Sequence, residues 1–218
     1  MKGMKFTVVL LLLLSFKCFA ANIEDCLSGD LFKKTKSSYI DYDFRYSALC
    51  ELTESSIDVF GSKVEVPLRS NALNLVFTMP TRFQRNYQLV RGRLVESNDV
   101  MSYHVAYLEI KLAPDLNAEK VLRSAVSVGE VWGGGREFGG SLLARMNSKN
   151  SSIRIESAEY RDFYAICTEY QCSYVGFSAE YGVYYILHIL VPGDYNLIDW
   201  LLVRDSVRRL VSGVVRVN

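Results

Sequence analysis

Two histidines, His104 and His188, are the only side chains of this sequence that ordinarily exchange protons near neutral pH. A hydrolase triad would need one of them beside a serine or cysteine and a carboxylate. The G-x-S-x-G turn of serine hydrolases is absent, and so is the H-E-x-x-H pattern of zinc proteases. We therefore interpret both histidines as structural or surface residues of strands, and we expect no metal site.

A pair of aspartates, Asp41 and Asp43, has the carboxylate chemistry of a glycosidase. The two residues share one face of a strand because they are two positions apart. The other residues of that face are mostly polar. We therefore interpret the pair as solvated surface rather than as a catalytic acid and base.

A glycine cluster at Gly134–Ser141 comes close to a phosphate-binding loop, but Gly140 stands where that loop has its lysine. Nucleotide phosphates would lack their charge partner, so we expect no nucleotide and no other cofactor. The glycines instead predict a tightly turning loop. On that loop Trp132, Arg136 and Phe138 are of the residue types that anchor protein interfaces, which makes them candidates for partner binding.

Residues 1–20 have the three-part pattern of a cleavable export signal. Lys2 and Lys5 form a basic start, Phe6–Leu14 is a short apolar core, and small Ala20 ends the cleavage region. The core is about half of the roughly 20 residues that a membrane-spanning helix needs. The pattern therefore favours cleavage, a periplasmic mature protein and no stable membrane anchor.

The mature chain would comprise residues 21–218 and carry a net charge of −2. Proteins that bind nucleic acid usually carry a concentrated basic face, and none is visible, so we expect no nucleic-acid partner. Lipid attachment at Cys18 is not expected, because bacterial lipoprotein signals place a small residue before the cysteine and here Lys17 precedes it. A chain of this length normally forms one domain.

Four cysteines remain after the signal, namely Cys26, Cys50, Cys167 and Cys172. An even number in an exported chain implies two disulfides, and three pairings are conceivable. We favour Cys26–Cys50 and Cys167–Cys172, because the members of each pair are close in sequence. The alternative, a metal site at Cys167 and Cys172, is a weak zinc signal without a second pair of ligands.

Apolar periodicity predicts the order of the secondary-structure elements. A short helix carrying Cys26 is expected over Asn22–Lys34, and Tyr39–Leu52 alternates as a strand with one buried face. Capping residues predict a central helix from Asn117 and a C-terminal helix over residues 196–212. The other predicted strands are Ser56–Phe60 and Lys63–Leu68 as a hairpin, Leu73–Met79 ended by Pro80, Tyr87–Glu96 paired with Val100–Leu112, then Ile153–Tyr160, Phe163–Val175 and Val183–Val191.

Runs of strands with segregated helices predict an α+β fold, with a mainly antiparallel sheet and the C-terminal helix packed on it. Parallel βαβ alternation is missing, so a Rossmann-type site is not expected. We expect residues 21–69 to supply an N-terminal helix and strands, and residues 70–218 to form the main sandwich.

The stretch LNLVFTMP, the helix after Pro114, three closing strands and a final helix resemble the PsbP-like α/β sandwich. The stretch from GREFGG through YVGFSAEYGVYYILHI to the helix WLLVRDSVRRLVSGV is similar to the closing part of periplasmic immunity proteins of bacterial type VI secretion. The resemblance covers residues 70–215, and the insert before the final helix is shorter here. It implies a protein that binds and silences a cognate toxin.

Fourteen tyrosines make this chain unusual, and they fit both core packing and a contact surface. A Cys167–Cys172 bridge would close a very small loop, which stabilises the whole fold little on a loop-entropy argument. It would instead stiffen the hairpin tip and present Glu169 and Tyr170, which favours a role in recognition.

These patterns predict an exported protein-binding protein, most plausibly an immunity protein, and not an enzyme. Two alternatives stay open: an envelope-maintenance factor without a toxin partner, and a small envelope enzyme whose site one sequence does not reveal. What the neighbouring gene encodes is the observation that would discriminate best among them.

The export signal makes the first prediction. The mature protein is expected to begin at Ala21, because small Ala20 follows a short apolar core, and to be released in a periplasmic extract. N-terminal sequencing and intact mass measure this directly. Recovery of Met1 on a membrane-bound form would show that the segment is a retained anchor.

Overall fold

The computed structural model describes the parts of the chain that form its strands and its C-terminal helix. The expected signal, the expected helix from Asn117, and both Trp132 and Phe138 lie outside the described residues. The described ranges are 20–29, 31–36, 41–59, 62–66, 68, 72–84, 87–91, 93–96, 100–112, 136–137, 142–147, 152–157, 159–160, 162–190 and 198–217.

Fifteen strands, two short 3-10 turns and one α-helix make up the described chain. The turns are Asp25–Leu27 and Ala48–Cys50, and the C-terminal helix is Trp200–Val214. The strands are β1 Leu31–Lys36, β2 Asp41–Tyr46, β3 Ser56–Val59, β4 Ser62–Glu65, β5 Leu73–Gln84, β6 Tyr87–Val90, β7 Arg93–Glu96, β8 Val100–Leu112, β9 Arg136–Glu137, β10 Leu142–Met146, β11 Ile153–Ser157, β12 Phe163–Cys167, β13 Gln171–Ser178, β14 Val183–Leu190 and β15 Val215–Val217.

An eight-stranded sheet in the order β5-β8-β14-β13-β12-β11-β10-β9 dominates the fold, and all of its pairings are antiparallel. A three-stranded sheet, β1-β2-β15, joins the N-terminal strands to the end of the chain, and β3-β4 and β6-β7 form separate hairpins. The predicted α+β class is therefore confirmed. No helix of the described residues is long and apolar enough to cross a bilayer.

The core lies between one face of this sheet and the C-terminal helix. Alternate residues of β14, from Val183 to Ile189, are fully buried, as their alternation predicts. Trp200, Val203 and Val207 of the helix pack into the same core. Burying side chains of this size contributes roughly 1.5–3 kcal/mol each relative to exposure, so this contact supplies much of the driving force for folding.

The helix begins at a well-formed N-cap. The Asp199 carboxylate accepts hydrogen bonds from the backbone N–H groups of Leu201 and Leu202, both at 3.1 Å. The Asp199 backbone N–H donates to the Thr81 carbonyl at 2.7 Å, which ties the start of the helix to β5. Predicted helix residues before Ile198 lie outside the described chain.

The outer edge of β5 is covered by two segments from early in the chain. Thr78 N–H donates to the Ala21 carbonyl at 2.7 Å, and Ile23 N–H donates back to the Thr78 carbonyl at 2.9 Å. Further along the edge, Leu52 N–H donates to the Asn74 carbonyl at 3.0 Å. Covering an edge in this way satisfies its backbone groups and prevents edge-to-edge association.

Both predicted disulfides are confirmed. Cys26 bonds to Cys50 and Cys167 bonds to Cys172, and all four residues are buried. Cys167 and Cys172 are direct cross-strand partners in the β12–β13 ladder. The first bridge joins the two 3-10 turns, and it thereby fixes both segments that cover the edge of β5.

The helix predicted over Asn22–Lys34 is wrong. Its first part is only a 3-10 turn, and its second part is β1, paired along its length with β2. Gly29 explains the break, because a Cβ there would collide with the backbone of Tyr46. The segment must lie flat against β2 at this point, and a helix cannot.

The strand predicted over Tyr39–Leu52 is too long. It ends at Tyr46, after which the Ser47 hydroxyl accepts a hydrogen bond from Leu49 N–H and starts a 3-10 turn. Ala48 and Cys50 fall on alternate positions, so the apolar pattern imitates a strand that the backbone does not form.

Two predictions around β5 are also wrong. Pro80 does not end the strand, because it lies next to a β-bulge, a position that tolerates its missing N–H, and β5 continues to Gln84. Tyr87–Glu96 does not pair with β8 but folds on itself as the β6–β7 hairpin. Arg91, at φ 50°, takes the left-handed conformation that such a tight turn requires.

The remaining strand predictions need smaller changes. The hairpin of β3 and β4 is confirmed, with its turn outside the described residues. The strand predicted to reach Tyr160 ends at Ser157, whose hydroxyl accepts from the backbone N–H groups of Glu159 and Tyr160 and so begins a turn. The predicted strand Phe163–Val175 is the hairpin β12–β13.

The helix cap makes the second prediction. Asp199→Ala should lower the free energy of unfolding by about 1 kcal/mol, because two backbone N–H groups lose their acceptor. Asp199→Asn keeps a capping oxygen and is the matched control, expected within a few tenths of a kcal/mol of wild type. Urea denaturation followed by circular dichroism measures both. Equal losses in the two variants would assign the effect to the charge instead of the cap.

Candidate protein-binding site

The hairpin of β12 and β13 presents the most exposed aromatic residue of the described chain. Tyr170 is 73% exposed, and Thr168 and Glu169 beside it are exposed as well. The Thr168 backbone N–H donates to the Gln171 carbonyl at 2.8 Å, directly outside the disulfide. The neighbouring Glu169 carboxylate, by hydrogen bonding and by its negative charge, raises the pKa of Tyr170.

The disulfide fixes the base of this hairpin tip. Cys167 and Cys172 have their Cα atoms 4.0 Å apart and are almost fully buried, so the bridge is part of the core. The three tip residues have little freedom between these fixed ends. Tyr170 therefore lies on a rigid hairpin tip, and this rigidity lowers the conformational entropy that is lost when a partner covers the side chain.

Other exposed apolar side chains lie at the same end of the sheet as this tip, which we call the tip end. Met146 is 59% exposed and pairs with Ile153, which in turn pairs with Cys167. Met146 is therefore level with the disulfide, two strands away from β12. Its flexible thioether suits an adaptable contact surface.

The largest group at the tip end lies on a two-stranded arm, residues 80–84 of β5 and 100–105 of β8. The strand β14 pairs with β8 only as far as Ala106, so the arm extends beyond the rest of the described sheet. Phe83 is paired with Met101, and Tyr103 follows two residues later on the same face. All three are exposed, Tyr103 at 52%.

Six of the eight exposed large apolar or aromatic residues of the described chain lie at the tip end, and the other two, Leu49 and Leu68, belong to neither the hairpin tip, β10 nor the arm. Scattered single residues of this kind are normal on protein surfaces, whereas clusters mark interaction sites. The six are Phe83, Val100, Met101, Tyr103, Met146 and Tyr170.

The candidate residues named from the sequence are only partly brought together. Glu169 and Tyr170 lie at the tip end. Arg136 lies in β9, the far edge strand, where it pairs with Ala144. It is three strands from β12, which is about 14 Å at the usual spacing. The placement of Trp132 and Phe138 lies outside the described residues.

On the face of the sheet away from the helix, His188 is the centre of a polar cluster. Its Nδ1 atom lies 2.7 Å from Gln171 Nε2 and 3.0 Å from the Ser173 hydroxyl. Its Nε2 atom lies 3.8 Å from Glu109 Oε1, and its ring stacks on Tyr107 at 4.3 Å. The cluster therefore ties the residue after Tyr170 to the centre of the sheet.

Glu109 is the charged member of this cluster and is 2% exposed. Burial alone would raise its pKa, but the nearby Lys111 and His188 outweigh that effect and lower it. Lys111 Nζ lies 2.8 Å from Glu109 Oε2. The carboxylate is therefore ionised at neutral pH and neutralised by a lysine next to it.

Ser173, His188 and Glu109 have the composition of a hydrolase triad but not its geometry. The serine approaches Nδ1, where the Gln171 amide is also within hydrogen-bonding distance, so the serine proton has a competitor for the same lone pair. The distance of 3.8 Å between His188 and Glu109 exceeds a hydrogen bond. The arrangement satisfies buried polar groups rather than activating a nucleophile.

His104 has a different environment, at the base of the arm. Its Nδ1 atom contacts the Thr81 hydroxyl, and burial lowers the pKa of its imidazole. It is therefore neutral at pH 7. Across the described chain, no three histidine, cysteine, aspartate or glutamate side chains come together as a metal site would need.

A cavity of about 280 Å³ lies between the C-terminal helix and the opposite end of the sheet. Its two arginines are already in ion pairs, Arg208 with Asp162 and Arg209 with Glu24. The cavity therefore offers hydroxyl groups rather than a free cation. One of its walls is Tyr185, whose buried hydroxyl has no hydrogen-bond partner and whose pKa is raised to about 12 by burial.

Comparison with known proteins adds no relative: no family model, no curated protein and no solved structure matches this chain. The resemblances drawn from the sequence therefore stay predictions. What the chain does must be argued from its own surface and its own polar groups.

Sequence reasoning missed the arm. Its signal was present in residues 100–103, where apolar side chains occupy both faces of the strand instead of one, although a half-buried strand alternates. The reasoning also missed the meeting of Ser173 with His188. No local pattern could reveal it, because the two residues meet only through the register of β13 and β14.

The polar cluster makes the third prediction. A fluorophosphonate, which labels activated serines, should not modify Ser173, because the Gln171 amide competes for the imidazole nitrogen. Mass spectrometry of the intact protein measures labelling, with Ser178 as an internal comparison on the same strand. Labelling of Ser173 that His188→Gln abolishes would contradict this geometry and indicate an enzyme.

Proposed function

We propose that this protein is an exported, periplasmic protein-binding protein, and that it acts as an immunity protein that binds and neutralises a cognate secreted toxin. The observation that carries the proposal is the concentration of exposed apolar side chains at the tip end, next to a hairpin held by a disulfide. The toxin-neutralising role rests in addition on the sequence resemblance to periplasmic immunity proteins.

Exposing these apolar side chains to water has a free-energy cost. Apolar groups that face water forgo roughly 25 cal/mol for each Å² that could be buried. A chain of this composition could place polar residues at the hairpin tip and on the arm without disturbing its core. Exposed aromatic and methionine residues in one region are therefore best explained by a partner that covers them.

The size of the region also fits a protein partner. A standard interface covers about 800 Å² on each side, a patch roughly 30 Å across. The hairpin tip, Met146 and the β9 edge with Arg136, about 14 Å from β12, fall within one such patch. The backbone of Arg136 in β9 therefore lies close enough to Tyr170 for one interface to reach both.

The disulfides support the compartment. Both bridges persist only where thiols are kept oxidised, which fits an exported protein, and the pattern of residues 1–20 adds the export signal. An exported chain that binds another protein meets secreted toxins in the compartment where they act on neighbouring cells.

A small envelope enzyme is the second candidate, and one observation favours it: Ser173 lies 3.0 Å from a ring nitrogen of His188. The fluorophosphonate experiment tests that reading. An envelope-maintenance factor would share the binding surface but not the toxin, so a protection assay separates it from an immunity protein.

The binding surface makes the fourth prediction. Tyr170→Ala should weaken binding to the protein encoded by the neighbouring gene by roughly 30-fold, the usual effect of removing an aromatic anchor. Its melting temperature should stay unchanged, because Tyr170 is exposed. Arg136→Ala is expected to weaken the same binding if the interface reaches β9. Isothermal titration calorimetry measures all three proteins.

Leu49→Ala is the matched control, because Leu49 is 74% exposed but belongs to the 3-10 turn Ala48–Cys50 and neither to the hairpin tip nor to the arm. It should bind like wild type. The immunity proposal fails if wild-type protein shows no heat of binding and does not protect cells that export the neighbouring gene's product. Binding without protection would indicate an envelope factor instead.

A further inference from the structure

The arm and its connecting hairpin carry a second chemical feature besides apolar side chains, a set of arginines. Arg91 and Arg93 are exposed and belong to the β6–β7 hairpin, which joins the outer ends of the two arm strands in the chain. Arg82 lies on β5 next to Phe83. Among the described residues none of these three arginines forms an ion pair, whereas Arg204, Arg208 and Arg209 all do.

The net charge of residues 80–103 is opposite in sign to that of the chain from residue 21 onward. Residues 80–103 contain four arginines and no lysine, against Glu96 and Asp99, so the segment carries a net charge of +2. The chain from residue 21 onward carries −2. The arm is therefore a localised positive region on a weakly negative protein, which is the condition for electrostatic steering towards an acidic surface.

The positions of the two features along the arm are also ordered. The exposed apolar residues Phe83, Met101 and Tyr103 lie on the paired strands near the sheet. The arginines Arg91 and Arg93 lie at the turn of the β6–β7 hairpin, which the chain forms between the two arm strands. A matching surface therefore has apolar side chains where it meets the base of the arm and carboxylates where it meets the hairpin.

This order favours a folded protein over a lipid surface. In peripheral membrane binding the apolar residues go deepest and the cations stay at the headgroups, so an inserting hairpin needs apolar side chains at its turn. The described side chains at this turn are arginines. A bilayer would meet the charges first and would not reach Phe83 or Tyr103.

We propose that the arm docks on a surface of the partner protein that has an apolar part and an acidic part. Arg91 and Arg93 pair with carboxylates of the acidic part. Phe83, Met101 and Tyr103 cover the apolar part. This inference rests on the proposed function and names the chemistry of the partner that the tip end recognises. The arm adds orientation and a fast association rate, while the hairpin tip at Tyr170 adds contact area.

The test compares two charge reversals that change the net charge equally. Arg93→Glu lies on the arm, and Lys63→Glu lies on the exposed hairpin strand β4 outside it. Arg93→Glu should weaken binding to the neighbouring gene's product by at least about tenfold at low salt, chiefly through a slower association rate. Lys63→Glu should bind like wild type. Surface plasmon resonance at a series of salt concentrations gives the rates.

Each outcome decides the inference. The affinity of wild type should fall as salt rises, and that dependence should become smaller in Arg93→Glu. If wild type binds and Arg93→Glu binds equally well, the arm inference is overturned while the proposed function stands. If wild type does not bind the neighbouring product, both fail.

A vesicle experiment addresses the lipid alternative. Wild type and Arg93→Glu are mixed with vesicles of phosphatidylglycerol and, separately, of phosphatidylcholine, and sedimentation measures the bound fraction. We expect no binding to either. Binding to the anionic vesicles that Arg93→Glu removes would assign the arm to a membrane surface and overturn the inference. Phe83→Ser, which removes an apolar contact without changing charge, should weaken partner binding with little change in its salt dependence.

Discussion

The antiparallel pairing of β5 with β8 is the interaction on which the rest of the structure depends. It runs from Leu73 opposite Ile110 to Gln84 opposite Val100, longer than any other pairing among the described strands. Its inner half supplies Leu75, Phe77 and Leu108 to the core under the helix. Its outer half is the arm. One ladder thus links the folding core to the largest group of exposed apolar side chains at the tip end.

Three segments distant in sequence are fixed by this ladder. The backbone of residues 21–23 bonds to Thr78, the start of the C-terminal helix bonds to Thr81, and Leu52 bonds to Asn74. The Cys26–Cys50 bridge joins two of these segments to each other. Residues 21–23 and the start of the C-terminal helix are therefore held against the same strand, which gives the arm a rigid base.

The buried polar groups of the fold are of two kinds, a charged carboxylate with cationic neighbours and tyrosine hydroxyl groups enclosed by the core. On the face of the sheet away from the helix, Glu109 is neutralised by Lys111 and approached by His188, so a buried charge is tolerated. Under the helix, Tyr174 and Tyr185 are buried by the packing of the core, and neither hydroxyl has a hydrogen-bond partner. Burial raises the pKa of both phenols in the folded state. The free energy of unfolding should therefore fall at alkaline pH, where these phenols ionise more readily in the unfolded chain.

Much of the fold follows from local sequence. The cysteine spacing predicts both bridges, because short loops bring their ends together at little entropic cost. The alternation of β14 and the periodicity of the C-terminal helix predict their buried faces, because a single sheet face and a single helix stripe enter the core. The exposed hairpin tip at Tyr170 also follows, since it is the loop closed by a predicted bridge.

Tertiary structure alone decided the rest. Gly29 lies flat against Tyr46 and replaces an expected helix with β1, and a bulge carries β5 through Pro80. Both outcomes depend on a strand that is remote in sequence, so no local propensity reveals them. The same holds for Ser173 and His188, which only ladder register brings together. Sequence by itself determined which cysteines bond and which face of β14 is buried, because those depend on near neighbours. The arm and the tip end arise from how far each strand is paired across the sheet, and that is a property of the whole fold.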